Sequence, residues 1–214
     1  MSDSCHSKSS TAYPSDCEIR ENYRNLIREK AEKGKPALDR RVILEKASKI
    51  KILLLDVDGV LTDGTLLYSA SGEESKAFHT QDGFGLRLLH EAGIETGLIT
   101  ARNSEAVNRR GIELKMRYLY QGASNKLLAF QEILRESGCR PFEISYMGDD
   151  WLDLVLLQRA GFSLAPANCV NAVREVVHHV TSLPGGLGAV REACELLLES
   201  KGLLAELQQK YANR

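Results

Sequence analysis

Runs of apolar residues alternate with amphipathic segments along most of the chain. The clearest run is 52–55, which is wholly apolar and typical of a strand buried on both faces of a parallel sheet. The run leads directly into Asp56, Val57 and Asp58, and Gly59 then predicts a turn where the strand ends. We therefore expect two carboxylates at the carboxyl end of a central strand, where open α/β sheets place their ligands.

The same pattern predicts that strands and helices alternate after this first strand, which spans 50–56. Further strands are predicted at 95–100, 118–120, 143–147 and 162–165, helices at 86–92, 104–113, 125–137, 151–160, 172–177 and 190–201, and a loop at 82–85. The segment 65–78 contains a glycine turn and predicts a protruding β-hairpin. The fold class is α/β, a Rossmann-like, mostly parallel sheet with helices on both faces. Because most connections are short, we expect no large cap domain.

The two ends of the chain differ from this α/β region. Residues 1–15 are polar and serine-rich, which predicts disorder, and two short charged helices are predicted at 17–33 and 37–48. We therefore divide the chain into an N-terminal extension at 1–48, an α/β domain at 49–200 and a C-terminal tail at 201–214. Acidic residues interleave with the basic ones in the extension, which favours a solvated or subunit-contacting segment over a nucleic-acid arm.

The charge balance narrows the classes of partner. The chain has 28 basic and 29 acidic residues, so it lacks the basic surface that nucleic acid or an anionic membrane attracts. No apolar run approaches the roughly 20 residues that span a bilayer, and we expect no secretory signal at the N-terminus. The five cysteines are scattered, which argues against a disulfide framework and favours a reducing, cytoplasmic setting.

Four polar clusters lie at predicted strand or helix boundaries. They are, in chain order, Asp56 with Asp58; Thr100; Lys126; and Asp149 with Asp150 and Asp153. In a parallel sheet all four converge on one edge. Each cluster alone has a structural explanation, such as a turn, a strand end, a surface lysine or a helix cap. The hypothesis of a catalytic site depends on finding all four together in this order.

The residue types in these clusters indicate phosphoryl transfer. One carboxylate can attack phosphorus and hold it as an acyl phosphate, while a second protonates the leaving oxygen and then activates water. A hydroxyl and an amine bind the phosphoryl oxygens, and Lys126 with Mg²⁺ neutralises the transition-state charge. Mg²⁺ is expected because paired carboxylates need a cation, and a hard ion prefers oxygen ligands. Asp150 and Asp153 favour the dipole of the helix that they begin and support the site.

This ordered set resembles the haloacid dehalogenase superfamily of phosphohydrolases, and within it the family of 3-deoxy-D-manno-octulosonate 8-phosphate (KDO 8-phosphate) phosphatases. The resemblance extends from residue 50 to about 198. The segments that carry it are DVDGVLTDG at 56–64, GEESKAFHTQDGFGLR at 72–87, ITAR at 99–102, YQGASNK at 120–126, GDDWLDL at 148–154 and GGLGAVREAC at 185–194. The sequence departs from the family in its longer N-terminal extension and in Ala101, where the family usually has glycine.

The resemblance implies a role for each site residue. It makes Asp56 the nucleophile, Asp58 the general acid and base whose backbone carbonyl also binds Mg²⁺, and Asp149 a further metal ligand. It makes Thr100 and Lys126 the phosphoryl-binding pair. The implied contacts to the sugar acid are His79, Thr80, Gln81, Asp82, Gly83, Arg87, Arg102 and Arg110. Guanidinium groups suit a substrate with both a carboxylate and a phosphate. We interpret Lys76 as an exposed charge on the hairpin rather than as a substrate contact.

The implied function is Mg²⁺-dependent hydrolysis of KDO 8-phosphate in lipopolysaccharide precursor synthesis. Two alternatives stay open: a phosphatase of a nine-carbon sugar acid 9-phosphate, and a non-catalytic phosphatase-like module kept for oligomerisation. The family implies a homotetramer in which hairpins of several subunits meet. The hairpin agrees with this, because Leu66, Leu67, Tyr68 and Phe78 would otherwise be exposed apolar side chains.

Overall fold

The computed structural model describes residues 38–70 and 74–213, together with Glu18 and Glu21. The predicted disordered segment at 1–15 lies outside the described residues, as does the predicted helix at 17–33 apart from those two glutamates. Within the described part of the chain, no helix is long and apolar enough to cross a membrane.

A six-stranded parallel sheet forms the centre of the domain. The strands, in chain order, are β1 (Ile52–Leu55), β2 (Leu67–Tyr68), β3 (Glu74–Ser75), β4 (Glu95–Ile99), β5 (Tyr118–Tyr120), β6 (Ile144–Met147), β7 (Phe162–Ala165) and β8 (His179–Val180). The sheet order is β5-β4-β1-β6-β7-β8, and β2 and β3 form a separate antiparallel hairpin. All four residues of β1 are buried because the strand pairs with β4 on one side and β6 on the other.

Helices connect the strands and cover both faces of the sheet. They are α1 (Arg40–Ser48), α2 (Thr80–Glu91), α3 (Glu105–Glu113), α4 (Lys126–Ser137), α5 (Leu154–Leu157), α6 (Asn171–Arg174), α7 (Ala189–Ser200) and α8 (Leu204–Ala212). Right-handed crossovers place α2 and α3 on one face and α4, α5 and α6 on the other, because the strand order reverses after β5. Helix α7 packs against α1 and α2. The predicted α/β class is confirmed.

The largest difference from the predicted elements is at the start of α2. The segment 82–85, predicted as a loop because of its two glycines, lies inside the helix, which begins at Thr80 rather than Leu86. Both glycines allow close packing: an added Cβ would collide with Arg110 at Gly83, and would lie 3.1 Å from the Arg191 side chain at Gly85. The two glycines are therefore needed for their small size in helix packing, and both have helical backbone conformations that other residues could adopt.

Several further boundaries and elements also differ from the prediction. The predicted helix at 151–160 is a 3₁₀ turn (Trp151–Asp153) followed by the single turn α5. Strand β8 and helix α8 were not predicted. Helix α8 lies in the predicted tail and packs on the core, where the ring of Tyr211 meets that of Phe84 edge-on at 5.1 Å.

Candidate active site

The carboxyl ends of the central strands meet at one edge of the sheet. Leu55 of β1 lies opposite Leu98 of β4 and Met147 of β6, so the residues that follow these strands become neighbours. A cavity of about 290 Å³ opens there. Its lining includes the predicted residues Asp56, Asp58, Thr100, Arg102, Lys126, Asp149 and Asp150, together with Gly59, Asp63, Gly64, Ala101, Leu152 and Asn168. The predicted convergence of the four clusters is confirmed.

A buried ammonium group lies at the base of this cavity. Lys126 is the first residue of α4, whose N-terminus is capped by the Asn125 side chain. Its Nζ lies 3.0 Å from Asp56 Oδ1 and donates to Asp153 Oδ1 at 2.6 Å and to the Tyr146 hydroxyl at 3.2 Å. The Tyr146 hydroxyl in turn donates to Asp153 Oδ1 at 2.6 Å. The lysine is therefore fixed by buried partners and directed at Asp56.

Burial and neighbouring charges shift the pKa values of Asp56, Asp149 and Lys126. It raises the pKa of Asp56 to about 6 and that of Asp149 to about 7, and the negative charge of Asp153 adds to both shifts. Burial alone would lower the pKa of Lys126, but the charges of Asp56 and Asp153 raise it. The cluster therefore has more negative charge than its one ammonium group can compensate.

The donor set suits a hard divalent cation. Asp56, Asp149 and Asp153 each place a carboxylate oxygen within 4.8 Å of the others. Asp153 is fully engaged, because its Oδ2 accepts from the backbone N–H groups of Asp149 and Asp150 and its Oδ1 from Lys126 and Tyr146. Asp56 Oδ1 is buried, and within the described residues it faces the Lys126 ammonium group at 3.0 Å without an aligned hydrogen bond. Asp56 and Asp149 are therefore the side chains suited to hold a metal, and Asp153 positions its neighbours.

The turn after β1 depends on two glycines, one within the turn and one in a segment distant in sequence. Gly59 has φ +84°, and a Cβ there would collide with the Asp149 carboxylate. Gly185 packs directly on the Gly59 carbonyl, which places the glycine-rich segment at 185–188 against the turn that follows β1. Asn168 joins the two, donating to Gly59 O at 3.0 Å and accepting from Gly185 N at 2.7 Å. Sequence reasoning missed Asn168, although its position just after β7 was a usable signal.

Lys76 is buried, so its interpretation as an exposed hairpin charge is wrong. Only 1% of its side chain is exposed, and its ammonium group pairs with the carboxylates of Asp58 and Glu74. Alternate residues of an extended chain share a face, so the side chains of Glu74 and Lys76 project to the same side and pair with each other. That spacing was the signal in the sequence.

Arg102 connects the hairpin to the cavity. Its guanidinium donates to the Glu74 carboxylate and, at 2.9 Å, to the Tyr68 hydroxyl. Its Nε lies 3.6 Å from Asp58 Oδ2. Asp58 is thus flanked by two cations, Lys76 and Arg102.

Of the predicted sugar-acid contacts, only Arg102 lines this cavity. His79 precedes α2, and its backbone carbonyl accepts a hydrogen bond from the Arg110 guanidinium. The side chains of Thr80 and Gln81 are exposed. The guanidinium of Arg87 stacks over the Phe84 ring, 5.2 Å from its centre. Arg110 lines a second cavity, of about 500 Å³, together with Lys76, Phe78, Glu105, Ala106, Arg109 and Glu113. Because Lys76 lines this second cavity and pairs with Asp58 in the first, the two cavities are neighbours.

The structure places Asp82 away from both cavities. Its side chain is buried, and Oδ1 accepts from the backbone N–H of Arg191, in the first turn of α7, at 2.8 Å. The carboxylate therefore caps one helix from another, which satisfies an N–H group that the helix itself leaves unpaired. This geometry does not support the predicted contact of Asp82 with the sugar, because the side chain is buried and its Oδ1 caps α7.

Ala101 fits without backbone strain. Among the non-glycine residues that the structure describes, only Lys115 has a positive φ. The alanine therefore adopts a conformation that any L-residue can take, and the family's glycine is not required for the turn.

Comparisons with known proteins agree with this geometry. No family model matches the chain. The chain is 42% identical to 3-deoxy-D-manno-octulosonate 8-phosphate phosphatase KdsC of Escherichia coli (strain K12) over 164 residues, which cover 77% of this chain and 87% of that protein. It resembles the crystal structure of the Yersinia pestis phosphatase of that name with a TM-score of 0.75 and 38% identity, covering 76% of this chain and 88% of that one.

A further solved structure carries ligands. The Moraxella catarrhalis 3-deoxy-D-manno-octulosonate 8-phosphate phosphatase, in complex with magnesium ion, phosphate ion and KDO, matches with a TM-score of 0.78 and 38% identity, covering 80% of this chain and 98% of that one. In this chain, the order of the sheet and the aspartates at the end of the central strand are those of a hydrolase of the haloacid dehalogenase class. Within that class, the chain belongs to the family of 3-deoxy-D-manno-octulosonate 8-phosphate phosphatases.

Proposed function

We propose that this chain is a Mg²⁺-dependent phosphomonoesterase that hydrolyses KDO 8-phosphate to KDO and phosphate, a step in lipopolysaccharide precursor synthesis. The observation that carries the proposal is the Asp56–Lys126 pair, 3.0 Å apart at the end of the central strand, in a chain of this family. The named activity of the relatives and the KDO bound to one of them supply the substrate.

Asp56 is the nucleophile. Its carboxylate attacks the phosphorus atom and forms an aspartyl phosphate, and the bond to the sugar-acid oxygen breaks in the same step. Lys126 and the Thr100 hydroxyl bind the phosphoryl oxygens, and the fixed ammonium group stabilises the charge that develops on them. Because Asp153 and Tyr146 hold Lys126 in place, little reorganisation is needed as this charge forms.

Asp58 is the general acid and base. It protonates the leaving oxygen in the first step and removes a proton from the attacking water in the second. Asp58 lines the same cavity as Asp56. Its carboxylate faces the cations Lys76 and Arg102, whereas the Asp56 carboxylate is the one proposed to bind the metal.

Asp56, Asp149 and the Asp58 backbone carbonyl hold Mg²⁺ in this proposal. When bound, Mg²⁺ neutralises carboxylate charge and polarises the phosphoryl group. The raised pKa values of Asp56 and Asp149 support this, because burial and mutual repulsion leave these two carboxylates short of positive charge. Asp150 caps the 3₁₀ turn that follows, and Asp153 orients both Asp149 and Lys126.

The sugar acid extends from the phosphoryl site towards Arg102 and the second cavity. Arg102 lines the first cavity and Arg110 the second, so a substrate with its carboxylate remote from its phosphate can reach both. His79, Thr80, Gln81, Gly83 and Arg87 stay predictions as contacts to the sugar, since they lie around the start of α2.

A homotetramer formed through the hairpins is the proposed assembly. Leu67 and Tyr68 expose 62% and 57% of their surface on the hairpin, and Leu66 exposes 41%. Leu67→Asp is expected to shift the mass measured by light scattering to smaller species, with Leu128→Asp, at an exposed leucine of α4, as the control. We place the protein in the cytoplasm, which the free thiols of Cys139, Cys169 and Cys194 support.

Phosphate release from a substrate panel tests the function. The panel contains KDO 8-phosphate, nine-carbon sugar acid 9-phosphates and hexose phosphates, each with Mg²⁺ and with a chelator. The proposal expects turnover of KDO 8-phosphate well above the others and none with the chelator. Preference for a nine-carbon acid would keep the chemistry and change the substrate. Absence of turnover on every ester would favour the non-catalytic oligomerisation module.

A further inference from the structure

Four charged side chains hold the β2–β3 hairpin against the mouth of the catalytic cavity. Arg102 donates to the Glu74 carboxylate, and Lys76 Nζ lies 3.1 Å from Glu74 Oε1. Both cations also face Asp58. The group therefore consists of two cations and two carboxylates, and its net charge is zero.

Arg102 is the cation of this group that a ligand can reach. It lines the cavity, and 41% of its side chain is exposed. Its Nε is buried and has no hydrogen-bond partner within residues 38–70 and 74–213, since Asp58 Oδ2 is 3.6 Å away. Glu74 Oε1 likewise accepts no hydrogen bond from the described residues, although Lys76 is near it. The guanidinium therefore keeps an unused donor, Nε, beside Asp58, while Glu74 and Tyr68 share one of its outer nitrogens.

The geometry points to Glu74 as a specificity-determining residue, an internal carboxylate on Arg102 that the carboxylate of the substrate must replace. The inference rests on the proposed function, because it requires a phosphate ester that carries a second acid group. A phosphate ester without a carboxylate leaves the Glu74–Arg102 pair in place and gains nothing from Arg102.

Charge balance explains why exchange is required. Glu74 and Asp58 expose only 15% and 21% of their side chains, so water screens their charges poorly. A third carboxylate that entered while Glu74 stayed would leave the group with excess negative charge. Exchange of one carboxylate for another keeps the balance at zero. The hydrogen bond from Arg102, with help from Lys76, holds the pKa of Glu74 below its usual value, so protonation does not release Glu74 at neutral pH.

Glu74 can leave Arg102 by a change of its own side-chain rotamers, which leaves the hairpin backbone in place. Its contact with Arg102 is a side-chain ion pair, and its Oε1 accepts no hydrogen bond from the described residues. Besides Glu74, the hairpin reaches Arg102 through the Tyr68 hydroxyl at 2.9 Å. The exchange therefore replaces one side-chain contact and is compatible with hairpins that meet in the proposed homotetramer.

Glu74→Gln in the full chain tests the exchange. The amide keeps the shape of the side chain but removes the competing charge. Titration calorimetry with KDO, which has the carboxylate and no phosphate, is expected to show about fivefold to tenfold tighter binding in the presence of Mg²⁺. The KM for KDO 8-phosphate falls by a similar factor, and the ratio of kcat/KM for KDO 8-phosphate to kcat/KM for p-nitrophenyl phosphate, which has no carboxylate, rises about fivefold to tenfold. Glu206→Gln, an exposed site on α8, is the control for loss of one negative charge.

Weaker or unchanged binding of KDO by Glu74→Gln overturns the exchange, because it would make Glu74 a group that orients Arg102. An equal change in kcat/KM for KDO 8-phosphate and for p-nitrophenyl phosphate would also overturn the exchange. A double variant with Arg102→Met closes the cycle: the gain from Glu74→Gln should vanish without Arg102, and a gain that persists contradicts the inference. If the unaltered chain does not hydrolyse KDO 8-phosphate, the proposed function fails. If it does and Glu74→Gln shows no gain, only the exchange fails.

Discussion

The two sides of the catalytic cavity are held together in different ways. On one side, Asp56 follows the buried strand β1, and Lys126 is fixed by Asp153 and Tyr146, both fully buried. On the other side, Glu74 belongs to a hairpin of two-residue strands, and side-chain contacts to Arg102 and Lys76 keep it at the cavity.

This difference separates chemistry from recognition. Phosphoryl transfer requires the nucleophile and its cation to be positioned within a fraction of an ångström, and strand ends of a packed sheet provide that. The exchange that we propose for recognition of the sugar acid needs a charged group that can change partners, and the side-chain ion pair of Glu74 with Arg102 meets that need. The predictions below test the two sides separately, from the largest expected effect to the smallest.

Asp56→Asn should remove the chemistry and leave the fold. Loss of the attacking oxygen's charge is expected to lower kcat for KDO 8-phosphate by about 10³-fold or more. Burial raises the pKa of Asp56, so loss of its charge should leave the metal-free protein at least as stable. Phosphate release and thermal melting measure the two effects. Turnover near that of the unaltered chain would contradict the mechanism.

Tyr146→Phe should weaken catalysis without altering substrate recognition. The substitution removes the hydroxyl that holds Asp153 at 2.6 Å and Lys126 at 3.2 Å, so the ammonium group is positioned less well. We expect kcat to fall by about threefold to tenfold, the equivalent of one hydrogen bond, with KM unchanged. A change in KM alone would place Tyr146 with the recognition side of the cavity.

The metal-free protein should lose stability as pH rises through about 7, and Mg²⁺ should restore it. Burial raises the pKa of Asp149 from 3.8 to about 7, so the folded state keeps a proton that the unfolded chain has already lost. That stabilisation is present at low pH and is lost as Asp149 ionises. Mg²⁺ competes with the proton, so the gain in Tm on adding Mg²⁺ should be larger at about pH 8 than at about pH 5.5.

Asp149→Asn is the matched variant for this experiment, because it removes the titrating group and a metal oxygen together. The dependence of Tm on pH and the gain from Mg²⁺ should both become smaller. A variant that keeps the full gain from Mg²⁺ would show that Asp149 does not bind the ion.

Asp82→Ala should reduce stability and leave recognition unchanged. Loss of the carboxylate that caps α7 at Arg191 N is expected to lower the free energy of unfolding by about 1–2 kcal/mol, measured by denaturant titration. The KM for KDO 8-phosphate should stay the same, and Asp82→Asn, which keeps an acceptor, should cost less. A raised KM with unaltered stability would instead place Asp82 in contact with the sugar.

The sequence by itself determined the order of strands and helices apart from β8 and α8, and it located the polar residues at the strand ends. The run 52–55 is typical of a buried strand, and polar residues after parallel strands converge because the strands point the same way. Asp56, Thr100, Lys126 and Asp149 were found for that reason. Local sequence patterns are enough to locate these residues, because the parallel sheet brings the ends of its strands together.

Only the tertiary structure decided which polar side chains serve the fold and which serve the site. Asp82 and Lys76 stand in the same stretch of sequence, yet one caps α7 and the other is buried against Asp58. Asn168 joins Gly59 to Gly185 across more than a hundred residues. The charge state, burial and partner of a side chain depend on segments that are distant in sequence, so local propensity and spacing do not determine them.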